Sequence, residues 1–159
     1  MAYVPPPLEF PPPPPDEPIV QECVEGYLFA RPPLEFLLFR RIPPRGSIWV
    51  PIQGKVDPTD RDFESALRRE LVEETGLTEP LGITPLDWDL PFRAPNGAAW
   101  RLHAFAVEVG RDFQPRLNEE HVASEWVSPA EADRRLYFSD NRAAARRLVD
   151  RFGTPAPNV

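Results

Sequence analysis

Between Gly54 and Leu77 the chain reads GKVDPTDRDFESALRRELVEETGL, and this stretch constrains the fold more than any other. Its core, from Arg69 to Leu77, places Glu70, Glu73 and Glu74 at i, i+3 and i+4 and closes on Gly76. With Leu67 at zero on a helical wheel, Glu74 lies at about −20°, Glu70 at about −60°, Phe63 at about −40° and Leu71 at about +40°. Two acids therefore share the stripe that the apolar residues mark for burial. A helix kept for solubility alone places its acids opposite that stripe. Crowded, half-buried carboxylates must take up protons or be neutralised by a cation. The pattern thus predicts a divalent-metal site at the edge of a core.

The local punctuation predicts a helix over about residues 62–75. Thr59 with Asp62 has capping-box spacing, Asp60 or Asp62 can serve as N-cap, and Gly76 supplies a left-handed C-terminal stop. Upstream, Trp49 to Gln53 reads as a short strand, Gly54 as a turn and Lys55 to Pro58 as a loop. Clustered carboxylates that leave water positions open suit Mg²⁺, with Mn²⁺ as the alternative ion. Phosphoryl transfer, which rests on positioning and charge neutralisation, is the chemistry such a centre serves.

The segment resembles the Nudix box, the signature of the Nudix hydrolase superfamily: Gly, five residues, Glu, seven residues, Arg-Glu-apolar, one residue, Glu-Glu, one residue, Gly-apolar. Gly54, Arg69, Glu70, Leu71, Glu73, Glu74, Gly76 and Leu77 match it by type. Asp60 stands where the loop Glu belongs, and one extra residue separates it from Arg69. A similar VDPTD loop occurs in the coenzyme A diphosphatase branch, but that branch's upstream motif is absent. The resemblance implies an α/β/α sandwich with a mixed sheet. It also implies Glu70, Glu74 and Glu73 as metal ligands and catalytic acids, Gly54 as a backbone ligand, and Arg69 as the residue that orients Glu73 or a loop acid.

Other candidates lie outside the box. Asn118-Glu119-Glu120-His121 precedes a strand at Trp126, and many Nudix hydrolases draw a metal ligand or general base from such a late loop. Glu120 is that candidate; the ordinary alternative is a surface acid. Arg40, Arg41 and Trp49 are substrate-binding candidates, since an arginine can clamp phosphate bidentately. Together with Asn141-Arg142 they resemble the dihydroneopterin triphosphate and dATP pyrophosphohydrolase group. His103 reads as a paired or surface histidine, His121 as a substrate contact or a structural hydrogen bond. Trp88, Trp100 and Trp126 read as core packing. Tyr137-Phe138 is not assigned to a base pocket, and Cys23 reads as inert.

Length and composition fit one compact domain. Residues 1–18 hold nine of the 23 prolines and read as a polyproline II arm, residues 19–153 as the catalytic domain and 154–159 as a tail. A net charge of −7 with scattered Arg-Arg pairs argues against a nucleic-acid polymer as partner. One cysteine excludes an internal disulfide and fits the cytoplasm, and no apolar run reaches the ~18 residues of a membrane span. Beyond the helix, strands are expected near 20–30, 35–40, 81–90, 99–109 and 124–127. Helices are expected from Pro129 and from Asp140 or Asn141 through Phe152. The expected activity is Mg²⁺-dependent hydrolysis of a nucleoside triphosphate or related diphosphate derivative by water attack at phosphorus. Dinucleoside polyphosphates or nucleotide sugars are the alternative substrates. A non-catalytic nucleotide-binding module is the alternative from another class, and a homodimer is an assembly common in the superfamily.

Overall fold

The computed structural model describes residues 12–153. Most of the polyproline arm (1–11) and the tail (154–159) lie outside the described residues. Strands β1 (Gln21–Ala30), β2 (Glu35–Arg41), β3 (Trp49–Val50) and β4 (Ile52–Lys55) precede helix α1 (Phe63–Thr75). Then come β5 (Gly82–Arg93), β6 (Ala99–Glu108), β7 (His121–Val127), α2 (Pro129–Arg135) and α3 (Ser139–Phe152). The sheet runs β3-β2-β1-β6-β5, with β4 paired to β1 and β7 to β2. β1 and β6 are parallel while β1–β2 and β5–β6 are antiparallel, so the sheet is mixed.

Strand alternation builds two cores. On one face Val24 and Leu28 of β1 meet Leu67 and Leu71 of α1, together with Phe39, Ile52 and Val107. On the other, Tyr27 and Phe29 meet Leu136, Ala144 and Leu148 from the α2–α3 side. A sheet covered by helices on both faces is the α/β/α sandwich. Gly26 keeps α1 close: a Cβ there would sit 2.9 Å from Leu67 Cδ1. Leu67 is fully buried, and Leu67→Ala is expected to cost about 2–5 kcal/mol.

β1 changes partners halfway along its length. Leu28–Ala30 pairs with β2, whereas Cys23–Gly26 pairs with β4. β2 continues away from β1 against β7. The cavity described below lies at this divergence.

Three local expectations are corrected. Gly54 is not a turn but lies within β4, paired with Val24. Of the two expected N-caps of α1, Asp62 is the one used: its side chain accepts from Ser65 N at 2.7 Å, so the capping box of Thr59 with Asp62 is not formed. β7 begins at His121 rather than near Ser124. Gly76, by contrast, has the expected left-handed conformation (φ 76°), and its N–H donates to the carbonyls of Leu71 and Val72. No helix among the described residues is long and apolar enough to cross a membrane.

Candidate active site

The box helix presents its acids unequally. Glu74 is buried, Glu70 half-buried, and the Glu73 side chain 56 % exposed. Burial raises the Glu74 carboxyl to about 10, and the neighbouring Glu120 and Glu70 charges add to the rise. Glu74 shares a hydrogen bond with Glu120, whose own pKa is lowered by accepting it. Glu70 is raised as well, chiefly by burial and against the pull of Arg69.

Two neighbours explain why Glu70 lies where it does. A Cβ at Gly54 would overlap the Glu70 carboxyl group, so only glycine leaves room for it against β4. Arg69 donates from Nη1 to Glu70 at 2.9 Å. The same guanidinium grips Asp60 through Nε and Nη2 (3.1 and 2.7 Å) and the Lys55 carbonyl (3.1 Å). Glu73 lies 3.7 Å away from it. Arg69 thus ties helix to loop through Asp60 and Glu70, and Asp60 takes the loop position despite the extra residue in the spacing.

Glu120 arrives from the other side. Its backbone carbonyl accepts from Ile42 N at 3.1 Å, its own N–H donates to Asn118 Oδ1, and Arg45 holds its carboxylate at 2.8 Å. It lines, with Gly54 and Glu70, a cavity of about 760 Å³. Arg41 and Arg45 stand on the wall of that cavity. Burial lowers the Arg41 pKa, and its Nη2 donates to Gln53 Oε1 at 2.9 Å.

Arg40 and Trp49 are not on this cavity. Arg40 lies exposed over the Trp49 ring (5.9 Å), where Arg135 also approaches that ring at 5.5 Å, and the β2–β7 register shifts between Arg40 and Arg41. Trp100, expected in core packing, and Phe138, left unassigned to a base pocket, both stand on the cavity wall. Trp100 meets Phe92 edge-on at 6.0 Å and carries Lys55 over its face at 5.0 Å. Cys23 also reaches the wall, with its thiol pushed up to about 11 by burial.

The histidines have separate fates. His103 sits between Glu22 (2.7 Å) and Asp89 (3.0 Å) and stacks on Phe63. His121 is buried, pushed down to about 4 by burial, and its Nδ1 has no partner among the described residues. Sequence reasoning missed Glu25, an acid inside the apolar part of β1 and fully buried beside Tyr27, Gln53 and Asn141. An acid interrupting the run Cys-Val-Glu-Gly-Tyr-Leu-Phe was the available signal.

Do these residues suit a metal? Among the described residues no three His, Cys, Asp or Glu side chains are already drawn into a ligand cluster. Glu74 Oε2 is nonetheless buried without a partner, beside two other carboxyls, and the Gly54 backbone is open to close approach. An all-oxygen set with an orphaned carboxylate oxygen fits a hard divalent cation.

Comparison with known proteins assigns the family. Residues 26–152 match the NUDIX domain family. The chain belongs to the NUDIX family. This NUDIX chain is 36 % identical over 140 residues to an octanoyltransferase of Myxococcus xanthus, covering 86 % of this chain and 38 % of that protein. It is 31 % identical over 97 residues to the asymmetrical bis(5'-nucleosyl)-tetraphosphatase of Rattus norvegicus, covering 60 % of this chain and 65 % of that one. The chain thus spans about two fifths of the first relative and just under two thirds of the second. Among solved NUDIX folds, a C. elegans Ap4A hydrolase superposes with a TM-score of 0.70 at 22 % identity, covering 82 % of this chain and 96 % of that chain. The E. coli dihydroneopterin triphosphate pyrophosphohydrolase gives 0.73 at 18 % identity, covering 84 % and 99 %. The family's general reaction, hydrolysis of a phosphoanhydride in a nucleotide-like substrate, is chemistry that this arrangement of acids and arginines supports.

Proposed function

We propose that this NUDIX chain is a Mg²⁺-dependent pyrophosphohydrolase acting on a nucleoside triphosphate or a close diphosphate derivative. One observation carries the reading: Glu70 from the helix and Glu120 from a loop line, with Gly54, a cavity that also presents Arg41 and Arg45, and Glu74 lies buried beside both carboxyls.

Glu70, Glu74 and Glu120 would hold the ion, with the Gly54 carbonyl beside them. Bound Mg²⁺ (or Mn²⁺) supplies neutralisation of phosphate charge and a lowered pKa for water. Arg41 and Arg45 bind phosphoryl oxygens from the cavity wall, and their rigid forks orient the chain for in-line attack. Glu120, about one third exposed at the cavity, takes the proton of the attacking water. Arg69 acts as a positioning residue through Glu70 and Asp60.

A second reading, a dinucleoside polyphosphate as substrate, is favoured by the aromatic residues of the cavity wall. Phe92 and Trp100 line it in addition to Phe138, and the rat relative's name refers to such a compound.

The test is incubation with nucleoside triphosphates, dinucleoside polyphosphates and nucleotide sugars, with Mg²⁺ or with chelator, followed by phosphorus NMR. Metal-dependent release of a monophosphate and pyrophosphate from a triphosphate is expected. Tight nucleotide binding without any cleavage would replace the enzyme with a binding module.

A further inference from the structure

The arginines that line the cavity are not equivalent. Arg45 gives Nη1 to the Glu120 carboxylate at 2.8 Å. Arg93 grips both oxygens of Glu17, at 2.6 and 2.8 Å. Arg41 pairs only with neutral groups among the described residues: Nη2 donates to Gln53 Oε1 at 2.9 Å, and Cζ lies 5.9 Å from the centre of the Phe138 ring. A partly buried guanidinium without a carboxylate keeps its charge for an anion entering from the cavity.

Arg41 is held from behind by a polar floor. The β2–β7 register shifts between Arg40 and Arg41, an irregularity of the kind that re-aims a side chain. Gln53 of β4 lies opposite Glu25 of β1 in register. A guanidinium only donates, so Arg41 fixes the Gln53 oxygen toward itself and turns the amide nitrogen to Glu25 Oε2. Glu25, fully buried, accepts in addition from Tyr27 Oη (2.6 Å) and from Asn141 Nδ2 (2.9 Å). The acid is thus met by donors from β1, β4 and α3, and Gln53 is the donor that reaches on to an arginine of the cavity. A carboxylate in place of this amide would neutralise Arg41, and an apolar side chain would release it. A neutral amide tied to a buried acid does neither.

We propose that Gln53 is a positioning residue for phosphate binding: anchored on Glu25, its amide aims Arg41 into the cavity and leaves the arginine's charge unspent. This rests on the reading of Arg41 as a phosphate contact. The anchor restricts the guanidinium fork before substrate arrives, so less freedom is lost on binding.

The experiment is a double-mutant cycle of Gln53→Leu and Arg41→Ala, with kcat and KM measured on the triphosphate cleaved fastest in the panel. Arg41→Ala should lower kcat/KM about a hundredfold and Gln53→Leu about tenfold, both mainly through KM. In the Arg41→Ala background Gln53→Leu should change kcat/KM by less than about twofold, because the group it positions is gone. Full additivity, or an Arg41→Ala variant with wild-type KM, would overturn the proposal and leave the hydrolase standing. If no triphosphate is cleaved, the hydrolase reading falls instead. The same cycle, read as calorimetric affinity for methylenediphosphonate with Mg²⁺, then decides: non-additive losses support the positioning role, and additive losses or no binding overturn it. Should Gln53→Leu fail to fold, nitrogen-15 NMR of the unmodified protein replaces it, with the Arg41 signal assigned by its loss in Arg41→Ala. Slow rotation of that guanidinium is expected, and free rotation would overturn the anchor.

Discussion

Two buried acids in this molecule have opposite surroundings. Glu74 on α1 sits against other carboxyls, and its Oε2 finds no partner among the described residues. Glu25 on β1 sits among Tyr27, Gln53 and Asn141, all of which donate to it. Burial raises both, Glu74 to about 10 and Glu25 only to about 7, because three hydrogen bonds hold Glu25 down while like charge pushes Glu74 further up. Burial alone therefore does not mark a catalytic acid. A carboxyl left short of donors by its own neighbours asks for a cation, whereas one wrapped in donors can serve as a fixed floor.

The sharpest way to break the contrast is Glu74→Gln. Turnover should fall by about a thousandfold or more, since an ionisable oxygen facing the metal is lost. Thermal stability without metal should hold or rise, because a crowded carboxyl is removed. Wild-type turnover in the variant, measured by phosphorus NMR, would remove α1 from the chemistry. Glu73→Gln is the paired control. Its exposed side chain predicts a much smaller loss, and equal losses would erase the distinction drawn between the two acids.

Gly54→Ala should come next. The added Cβ overlaps the Glu70 carboxyl and forces it aside, so turnover should drop by about a hundredfold, and stability by about 1–3 kcal/mol in denaturant titration. Unchanged turnover would mean that the position of Glu70 is not critical.

Glu25 gives a pH signature. The fold holds it at about 7 against an ordinary value of 4.5, so folding favours its neutral form. Its contribution is fully present below about 4.5 and is lost as pH rises through 7, amounting to about 3 kcal/mol at most. In metal-free chemical denaturation the wild-type protein should lose stability relative to Glu25→Gln between pH 5 and 8.5. A pH-independent difference between the two would contradict the assigned environment.

The smallest effect is expected at Arg40→Ala. The guanidinium lies outside the cavity on Trp49, so KM and kcat should stay within about twofold and stability should fall by about 0.5–1 kcal/mol. A large rise in KM would return Arg40 to the substrate site.

How much of this was legible beforehand follows from the kind of signal involved. The α1 face was legible because helical periodicity is local: the positions of Glu70 and Glu74 relative to Leu67 follow from spacing alone, and both lie inward. The layered fold followed from the order of strands and helices. Asp62 against Asp60 was ambiguous, since either can cap a helix, and only the pairing of Asp60 with Arg69 separates them. Gly54 looked like a turn because glycine usually marks one; its actual role depends on a side chain 16 positions later. The Glu25 floor joins β1, β4 and α3 across separations of up to 116 residues, beyond the reach of any local pattern. Arg40 and Arg41 were indistinguishable as a pair: the β2–β7 register shifts between them, and only Arg41 lines the cavity.

The most direct test of the central claim is a Mn²⁺ titration followed by water-proton relaxation, on the wild-type protein and on Glu74→Gln. Saturable binding in the wild type, weakened at least about tenfold in the variant, is the predicted result. Equal Mn²⁺ affinity in both proteins would contradict the assignment of the α1 carboxylates as the cation site.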